Sequence, residues 1–590
     1  MKAMNESSTS PHCFLASLLV AGILSVTPCW AAADTLDLDV TFIGDREIFL
    51  QDAHKQLHWP EPANLKTTKP TFSFSMLPKR MNVQPEWSKN GPIRLRVSEP
   101  LRRLYKGHIQ AGLGNYISPT LNFSYTDLRS KKGTWGLRGN HDSSRGGYAS
   151  NDSIDDNFSS SRFSGWGKRF IGTESVEMAV DYGRQTVGFF GGNPEIWAPT
   201  SLGGRTYNTY TVQLNAHNFK TKKQGIQHHL SASYQFLSED GINEHNTDLR
   251  LKLKTAGHHT AGPVSDGLGK LPFSMELHAN IDRFNRILEG SESPALKQAI
   301  LDFHPQVELA FGKIQTKAGV AFWIDAQGNK PFMVVPEIEA YTSLLRDLFI
   351  PYIKIDGGVN QNRYQSLLQS NPFLSSNLDS LENTYQKLHL QAGIRGSITK
   401  AFTFNLSAHH HRYDQFLFWG PDAQSTRDET FAAIYLDMNT TTLQADGSWR
   451  VGDSFSLTGQ IKQNNYRFKE QENGYLQPWN LPTLQTKLGA VYTWKDKVRI
   501  GSQLELLTGR KGLQSWSDSE SITIDNGDTF AGFETPLGAS TQWDVQLEYL
   551  YNGRLSGWIH LQNLLNQANL FLPGYNSQKF RFQMGINYAF

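Results

Sequence analysis

The sequence contains almost no cysteine. Its 590 residues include two, Cys13 and Cys29, and both lie before residue 34. The rest of the chain therefore has no thiol for a disulfide or for a thiolate metal site. A large chain of this kind is not a disulfide-stabilised scaffold.

The chain also lacks an excess of charge and lacks long apolar runs. Its 57 Lys and Arg residues nearly balance 55 Asp and Glu residues, so a nucleic-acid partner is not expected. Beyond the N-terminal region, no run approaches the ~20 apolar residues of a membrane-spanning helix. The mean hydropathy of −0.45 is usual for a soluble protein. A β-barrel with a polar lumen gives the same low average, because only alternate residues face lipid.

Motifs of common active sites are missing as well. The chain has no G-x-S-x-G, H-E-x-x-H or P-loop motif. An enzyme built on a barrel would carry its catalytic residues on separate strands, so this alternative stays open. The charged strand faces are explained more simply as the wall of a solvated pore. We therefore expect no enzyme activity, no catalytic residue, no cofactor and no metal site, and the substrate-binding residues are unknown.

The N-terminus predicts export from the cytoplasm. Lys2 lies in a short polar leader, Phe14–Leu24 is an apolar run, and small residues at Ala31–Ala33 follow. This order is typical of a secretory signal peptide. We predict cleavage after Ala33 and location in the outer membrane of a Gram-negative bacterium.

From Leu104 onward, apolar and polar residues alternate. The clearest run is Phe273, Met275, Leu277, Ala279 and Ile281, with Ser274, Glu276, His278, Asn280 and Asp282 between them. Because successive side chains of a strand point to opposite faces, each run has one apolar and one polar face. The pattern predicts β-strands, with Leu277 facing lipid and Glu276 facing the lumen.

Strand length and loop length favour a membrane barrel over a soluble β-sandwich or propeller. The runs reach about ten residues, the length of a tilted membrane-crossing strand, whereas soluble strands average about five or six. The turns at Lys313 and Lys400 are tight, while Gly146–Ser160, Tyr364–Asn383 and Ser515–Ala539 are long. Outer-membrane barrels have short periplasmic turns and long outer loops.

We therefore predict an all-β fold, a large antiparallel transmembrane β-barrel of about 22 strands with a short N-terminal periplasmic extension. The predicted divisions are a signal peptide (1–33), a periplasmic or lumen segment (34–103) and the barrel (104–590). Charged residues on the polar faces should point into the lumen, since charge on the lipid face is costly. They are Arg250, Lys252, Lys254, Glu276, Asp282 and Glu505.

The C-terminal region resembles the last strands of TonB-dependent receptors. The likeness covers Trp543–Phe590, with an HLQNLLNQ segment at His560–Gln567, a PGY turn at Pro573–Tyr575 and a closing strand that ends on an aromatic residue. Upstream, Gly112–Ser144 and Ile355–Leu374 look like a subgroup of receptor-like barrels from the Bacteroidota. The resemblance implies an outer-membrane barrel and a transport role.

The N-terminal segment departs from that family. Its receptors carry a plug of well over a hundred residues, whereas residues 34–103 are about 70 and hold a proline-punctuated stretch, Pro60–Pro100. Prolines at this spacing prevent a long helix or a central strand. The aromatic residues in the stretch predict an ordered strap that narrows the pore. Asp34–Val40 is faintly similar to a TonB box, and a β-prone N-terminus gives the same pattern, so TonB stays open as a partner.

A histidine triplet, His409 to His411, is the one metal-like feature. In a strand His409 and His411 share a face, but no carboxylate lies beside them on that face, so we interpret them as polar lumen lining. Two functions follow from the barrel: transport or a channel across the outer membrane, or a non-transport structural or assembly component of an outer-membrane complex. The expected partners are outer-membrane lipid and other outer-membrane or periplasmic proteins.

Overall fold

A computed structural model describes residues 104–127, 132–148, 156–191, 203–219, 225–255, 272–288, 291–292, 295–376, 378, 380–422, 425, 429–469, 476–514, 521–523, 529–531 and 533–590. Several predictions concern residues outside these ranges. They are the signal peptide (1–33), the segment 34–103 with its Pro60–Pro100 stretch, and the TonB-box-like Asp34–Val40.

The described residues form a closed antiparallel barrel of 22 strands, so the predicted all-β fold is confirmed. Each strand pairs with the next one in the chain, and the last strand pairs with the first, with Ile109 opposite Tyr588. The strands are β1 (Gly107–Gly114), β2 (Thr120–Thr126), β3 (Gly133–Ser144), β4 (Phe158–Ile171), β5 (Glu174–Gly188), β6 (Gly204–Asn218), β7 (Ile226–Glu239), β8 (Ile242–Thr255), β9 (Phe273–Leu288), β10 (Leu296–Phe311), β11 (Ile314–Asp325), β12 (Phe332–Thr342), β13 (Ile350–Asn360), β14 (Thr384–Thr399), β15 (Phe402–Pro421), β16 (Phe431–Val451), β17 (Phe455–Phe468), β18 (Leu484–Trp494), β19 (Val498–Thr508), β20 (Ser540–Leu550), β21 (Leu555–Gln562) and β22 (Arg581–Ala589).

Strands β4 to β20 are mostly 11 residues or longer. Their alternating sequence separates the two faces of the wall, as on β9, where Leu277 and Ile281 are 45% and 55% exposed on the outside. Glu276 and His278, between them, line a cavity inside the barrel. The apolar outer face is the one that can contact hydrocarbon, because lipid-facing charge is costly.

The two ends of the barrel differ in their connections. At one end, here the turn end, two-residue turns join β10 to β11 and β14 to β15, as predicted for Lys313 and Lys400. Gly312 in the first of these turns has φ +61°, a left-handed conformation that glycine adopts without a steric cost. At the opposite end, here the loop end, long connections join β3 to β4, β13 to β14 and β19 to β20.

Three pairs of short strands and one single short strand accompany the barrel in the described residues. Lys511–Gln514 pairs with Phe533–Pro536, Ser521–Thr523 with Thr529–Ala531, and Leu570–Leu572 with Tyr575–Asn576, while Ser291–Glu292 pairs with the end of β9. One seven-residue helix, α1 (Tyr364–Ser370), lies in the connection between β13 and β14. No helix of the described residues has the length and apolarity to cross a membrane.

Candidate functional site

The inner wall carries a row of alternating acidic and histidine side chains across β8, β9, β10 and β12. We call it the polar belt; its members are Asp248, His278, Asp302, His304 and Glu337. These residues share the inward face because each stands at a polar position of the alternating pattern of its own strand. The belt therefore follows from the alternation of four separate strands.

Hydrogen bonds link the belt without a break. The two ring nitrogens of His278 lie 2.7 Å from Asp248 Oδ2 and 2.7 Å from Asp302 Oδ2. The other oxygen of Asp302 lies 2.9 Å from His304 Nε2, and His304 Nδ1 lies 2.8 Å from Glu337 Oε1. Asp302 is 4% exposed, so it is buried between the two imidazoles. Each imidazole is thus fixed in orientation by two carboxylates.

A glycine on the intervening strand lets the belt cross β11. Gly319 of β11 lies opposite both Gln306 of β10 and Glu337 of β12. A Cβ atom at this position would lie 2.4 Å from the Pro305 carbonyl oxygen and 2.6 Å from Gln306 Cγ. Because glycine has no side chain, Gln306 reaches across and donates a hydrogen bond to Glu337 Oε2 at 2.5 Å. Any larger residue would separate β10 from β12 on this face.

Four members of the belt, His278, Asp302, His304 and Glu337, line a cavity of about 520 Å³ inside the barrel. Arg250 and Glu276 lie beside it toward the turn end, and Trp323 and Ile300 add apolar surface. Toward the loop end, Arg363 also lines the cavity. A charged, hydrogen-bonding chamber of this size can hold a polar solute.

The connection between β13 and β14 folds into the loop-end mouth, and two of its residues, Gln361 and Arg363, line the cavity. We call residues 361–383 the lid. Tyr364, Leu367 and Leu368 of α1 are at most 1% exposed, because the i, i+3, i+4 spacing puts them on one face of the helix. They pack on Tyr207, Leu237, Ile242 and Phe284 of the opposite inner wall. The helix ends before Asn371, whose extended conformation is the one favoured before Pro372.

Polar contacts anchor the lid to the wall at the same place. Arg205 and Glu239 form a buried ion pair with 2.6 Å between Nε and Oε1. Arg205 also donates to the Pro372 carbonyl at 3.0 Å and to Ser376 Oγ at 2.8 Å. Tyr364 donates its hydroxyl to Glu239 at 2.7 Å, and burial raises the pKa of this phenol well above its usual value, so it stays a donor.

Other residues at the loop end pack against the lid or form a cluster beside it. Phe373 of the lid stacks on Tyr575, with ring centroids 3.6 Å apart, and Leu374 bridges to Phe431. A neighbouring cluster centres on the buried Trp479; its other members are Phe418, Ile434, Leu436, Met438, Phe468 and Leu513. Described residues of several loop-end connections thus share apolar cores with the ends of the strands. Alternation within strands predicts none of this packing, since it arises between loops far apart in the chain.

The structure brings a third imidazole to the predicted histidine pair. His409 and His411 share the inward face of β15, and His389 of β14 lies directly opposite His411. Asp356 of β13 lies 2.6 Å from His389 Nδ1. Sequence reasoning missed His389 and Asp356 because both come from other strands. The tight turn after Thr399 could have revealed His389. In an antiparallel pair, residues at equal distances from the turn lie opposite each other, so residue 389 falls near residue 411.

The predicted charged residues pair along the inner wall. Glu276 bonds Lys252 at 2.9 Å and Arg250 at 3.4 Å, and Lys254 bonds Glu308 at 2.6 Å. Asp282 is buried near the loop end, where Asn246 donates to it at 3.3 Å. Glu505 bonds Lys487 at 3.0 Å on β18. These partners lie on one face of neighbouring strands, with Lys254 and Glu308 reaching across β9, as expected of a polar lumen.

No protein-family model matches the sequence, and no curated protein matches it. Solved structures do share its fold. The ferripyoverdine receptor of the outer membrane of Pseudomonas aeruginosa is 12% identical, with a TM-score of 0.58 over 83% of this chain and 72% of that one. The FrpB iron transporter from Neisseria meningitidis is 9% identical, with a TM-score of 0.62 over 83% and 82%. The siderophore receptor PirA from Acinetobacter baumannii is 11% identical, with a TM-score of 0.59 over 83% and 81%. The barrel is therefore of the type found in outer-membrane receptors.

Proposed function

We propose that this protein is an outer-membrane receptor that carries a small polar solute into the periplasm through its barrel. The observation that supports this most is the polar cavity, lined in part by a packed lid, inside a closed 22-strand barrel of the described residues. Solved barrels of this type include an iron transporter and siderophore receptors.

The lid distinguishes this function from free diffusion. An open porin needs an unobstructed aqueous lumen. Here the fully buried side chains of α1 and the Arg205–Glu239 pair attach the lid to the inner wall. A solute can reach the belt after the lid moves, so transport is gated.

The finer part of the proposal is a TonB-type energised cycle. The C-terminal likeness at Trp543–Phe590 supports it, as does the size of the barrel. In this proposal a periplasmic partner acts on the N-terminal segment 34–103.

Planar-bilayer conductance tests the gated-lumen proposal. Residues 363–381 are replaced by a short Gly-Ser linker, which can close the gap because Asn362 Nδ2 donates to the Glu382 carbonyl at 2.8 Å. A second variant lacks residues 34–100, and a third combines both deletions. We expect the wild type to stay closed and the combined variant to conduct steadily. The conductance of each single variant shows whether the lid or residues 34–100 block the lumen.

A structural platform is the second candidate, because loops with shared apolar cores also give a rigid surface for partners. On this hypothesis the combined deletion stays non-conducting although the barrel is folded. Outer-membrane partners then co-purify with the wild type and are lost when the lid is replaced. That pair of results would overturn the transport proposal.

A further inference from the structure

Three imidazoles converge on the inner wall next to the polar belt, on the strands that follow β12 and its Glu337. Ring nitrogens of His389, His409 and His411 all lie within 4.8 Å of one another. The rings are nearly parallel, at 4° for His389 and His409 and 8° for His389 and His411. The three histidines meet because β14 and β15 are hydrogen-bonded neighbours whose polar side chains point to the same face.

The belt histidines and these three differ in their partners. Both ring nitrogens of His278 and of His304 are bonded to carboxylates, so neither ring has a nitrogen left for a ligand. In the cluster, the second contact of His389 and of His409 is with each other: His389 Nε2 lies 3.3 Å from His409 Nδ1, and a metal ion between the two rings would replace this one bond. Two nitrogens at this distance match adjacent ligands of a tetrahedral ion, about 3.3 Å apart for metal–nitrogen bonds of about 2.0–2.1 Å.

The outer nitrogens of His389 and His409 are held in the way that metal-ligating histidines require, whereas that of His411 faces the amide nitrogen of Gln386. His389 Nδ1 is held by Asp356, His409 Nε2 lies 3.0 Å from Ser407 Oγ, and His411 Nδ1 lies 2.7 Å from the Gln386 carboxamide. A carboxamide can turn its oxygen toward a ring N–H, since its two ends are interchangeable. Such contacts fix the tautomer and direct the other nitrogen of the ring at the ion.

We propose that His389, His409 and His411 bind one divalent transition-metal ion of the Zn²⁺ type, with Asp356 orienting His389. Imidazole nitrogens suit this class of ion, and three protein ligands leave a fourth coordination position for water or another ligand. Lys354 lies 2.5 Å from the second oxygen of Asp356, which keeps that carboxylate at the His389 ring. The site requires the barrel wall alone and does not rest on the transport proposal.

Metal titration of the full-length protein tests the site. Protein without a polyhistidine tag is stripped with chelator in detergent and titrated with Zn²⁺ by calorimetry and with Co²⁺ by visible absorption. We expect one Zn²⁺ per chain and the intense d–d bands of a low-coordinate Co²⁺ site. His389→Ala and His409→Ala should each weaken Zn²⁺ binding at least ~10-fold, and Asp356→Asn by about 10–100-fold.

His410→Ala is the matched control, because His410 lies between the two ligands but on the outer face, where it bonds Thr441 at 3.1 Å. Its Zn²⁺ affinity should equal that of the wild type. The proposal is overturned if the wild type binds no Zn²⁺, if its Co²⁺ spectrum stays that of the aqua ion, or if His409→Ala binds like His410→Ala. Heat-modifiable gel migration reports folding; if an alanine variant does not fold, His409→Gln replaces it and the wild-type spectrum still decides.

Discussion

At the scale of single residues, neighbouring positions on β9 meet opposite environments. Leu277 is 45% exposed on the outer face, whereas Glu276 pairs with Arg250 and Lys252 on the inner face. We expect Leu277→Arg to lower the free energy of unfolding by about 2–4 kcal/mol near the bilayer midplane. Glu276→Gln should cost about 1 kcal/mol or less, because it removes partly exposed ion pairs.

Urea unfolding of the protein in lipid vesicles measures both changes, with Leu277→Ala as the control for lost packing. Equal losses for Leu277→Arg and Glu276→Gln would contradict the assignment of the two faces.

The belt gives a second prediction at this scale. Asp302 is buried, and each of its two carboxylate oxygens accepts a hydrogen bond from one imidazole. Asparagine has only one side-chain oxygen, so Asp302→Asn removes one of these two hydrogen bonds. We expect a loss of about 1–3 kcal/mol in the free energy of unfolding.

Glu308→Gln is the matched control, because Glu308 lies on the same strand and face as Asp302 but pairs with an exposed residue, Lys254. If the two variants lose the same free energy of unfolding, the belt stabilises the barrel no more than an exposed ion pair does.

At the scale of elements, the lid is a folded unit attached to a rigid wall. Leu367→Ala removes a fully buried side chain of α1, which costs about 2–5 kcal/mol where the site cannot collapse. This loss should open the lid without unfolding the barrel, because the lid contributes no strand to it. Limited proteolysis should then cut within residues 361–383 at a faster rate.

Gln369→Ala provides the comparison, because Gln369 is an exposed residue of the same helix. It should leave the cleavage rate unchanged. Equal protection of Leu367→Ala and the wild type would mean that the lid is held by its polar anchors, chiefly Arg205, instead of by α1.

At the scale of the whole molecule, the barrel leads us to predict the compartment. An apolar outer wall over a polar lumen is stable where lipid covers the outside, as in the solved outer-membrane receptors of this fold. We predict that the mature protein starts at Asp34 and sediments with the outer membrane. Mass spectrometry of its N-terminus and a sucrose-gradient fractionation test this. A chain that retains Met1, or that is recovered in the inner membrane, would contradict it.

The sequence by itself determined the strands, the faces of their side chains and the tight turns. Alternation of period two is a local property, because the backbone sends successive side chains to opposite sides regardless of partner. Leu277 and Glu276 were therefore assigned correctly, and so was the turn at Lys313. The size of the barrel followed from counting such runs.

The tertiary structure alone decided which of these residues meet. His389 joins His409 and His411 through the register of β14 on β15, and the shift between Ser397 and Thr399 that places His389 opposite His411 is not encoded in any local pattern. The lid depends on contacts between Tyr364 or Phe373 and residues of distant strands and loops. A loop takes its conformation from such long-range packing, whereas a strand takes its two faces from its own backbone.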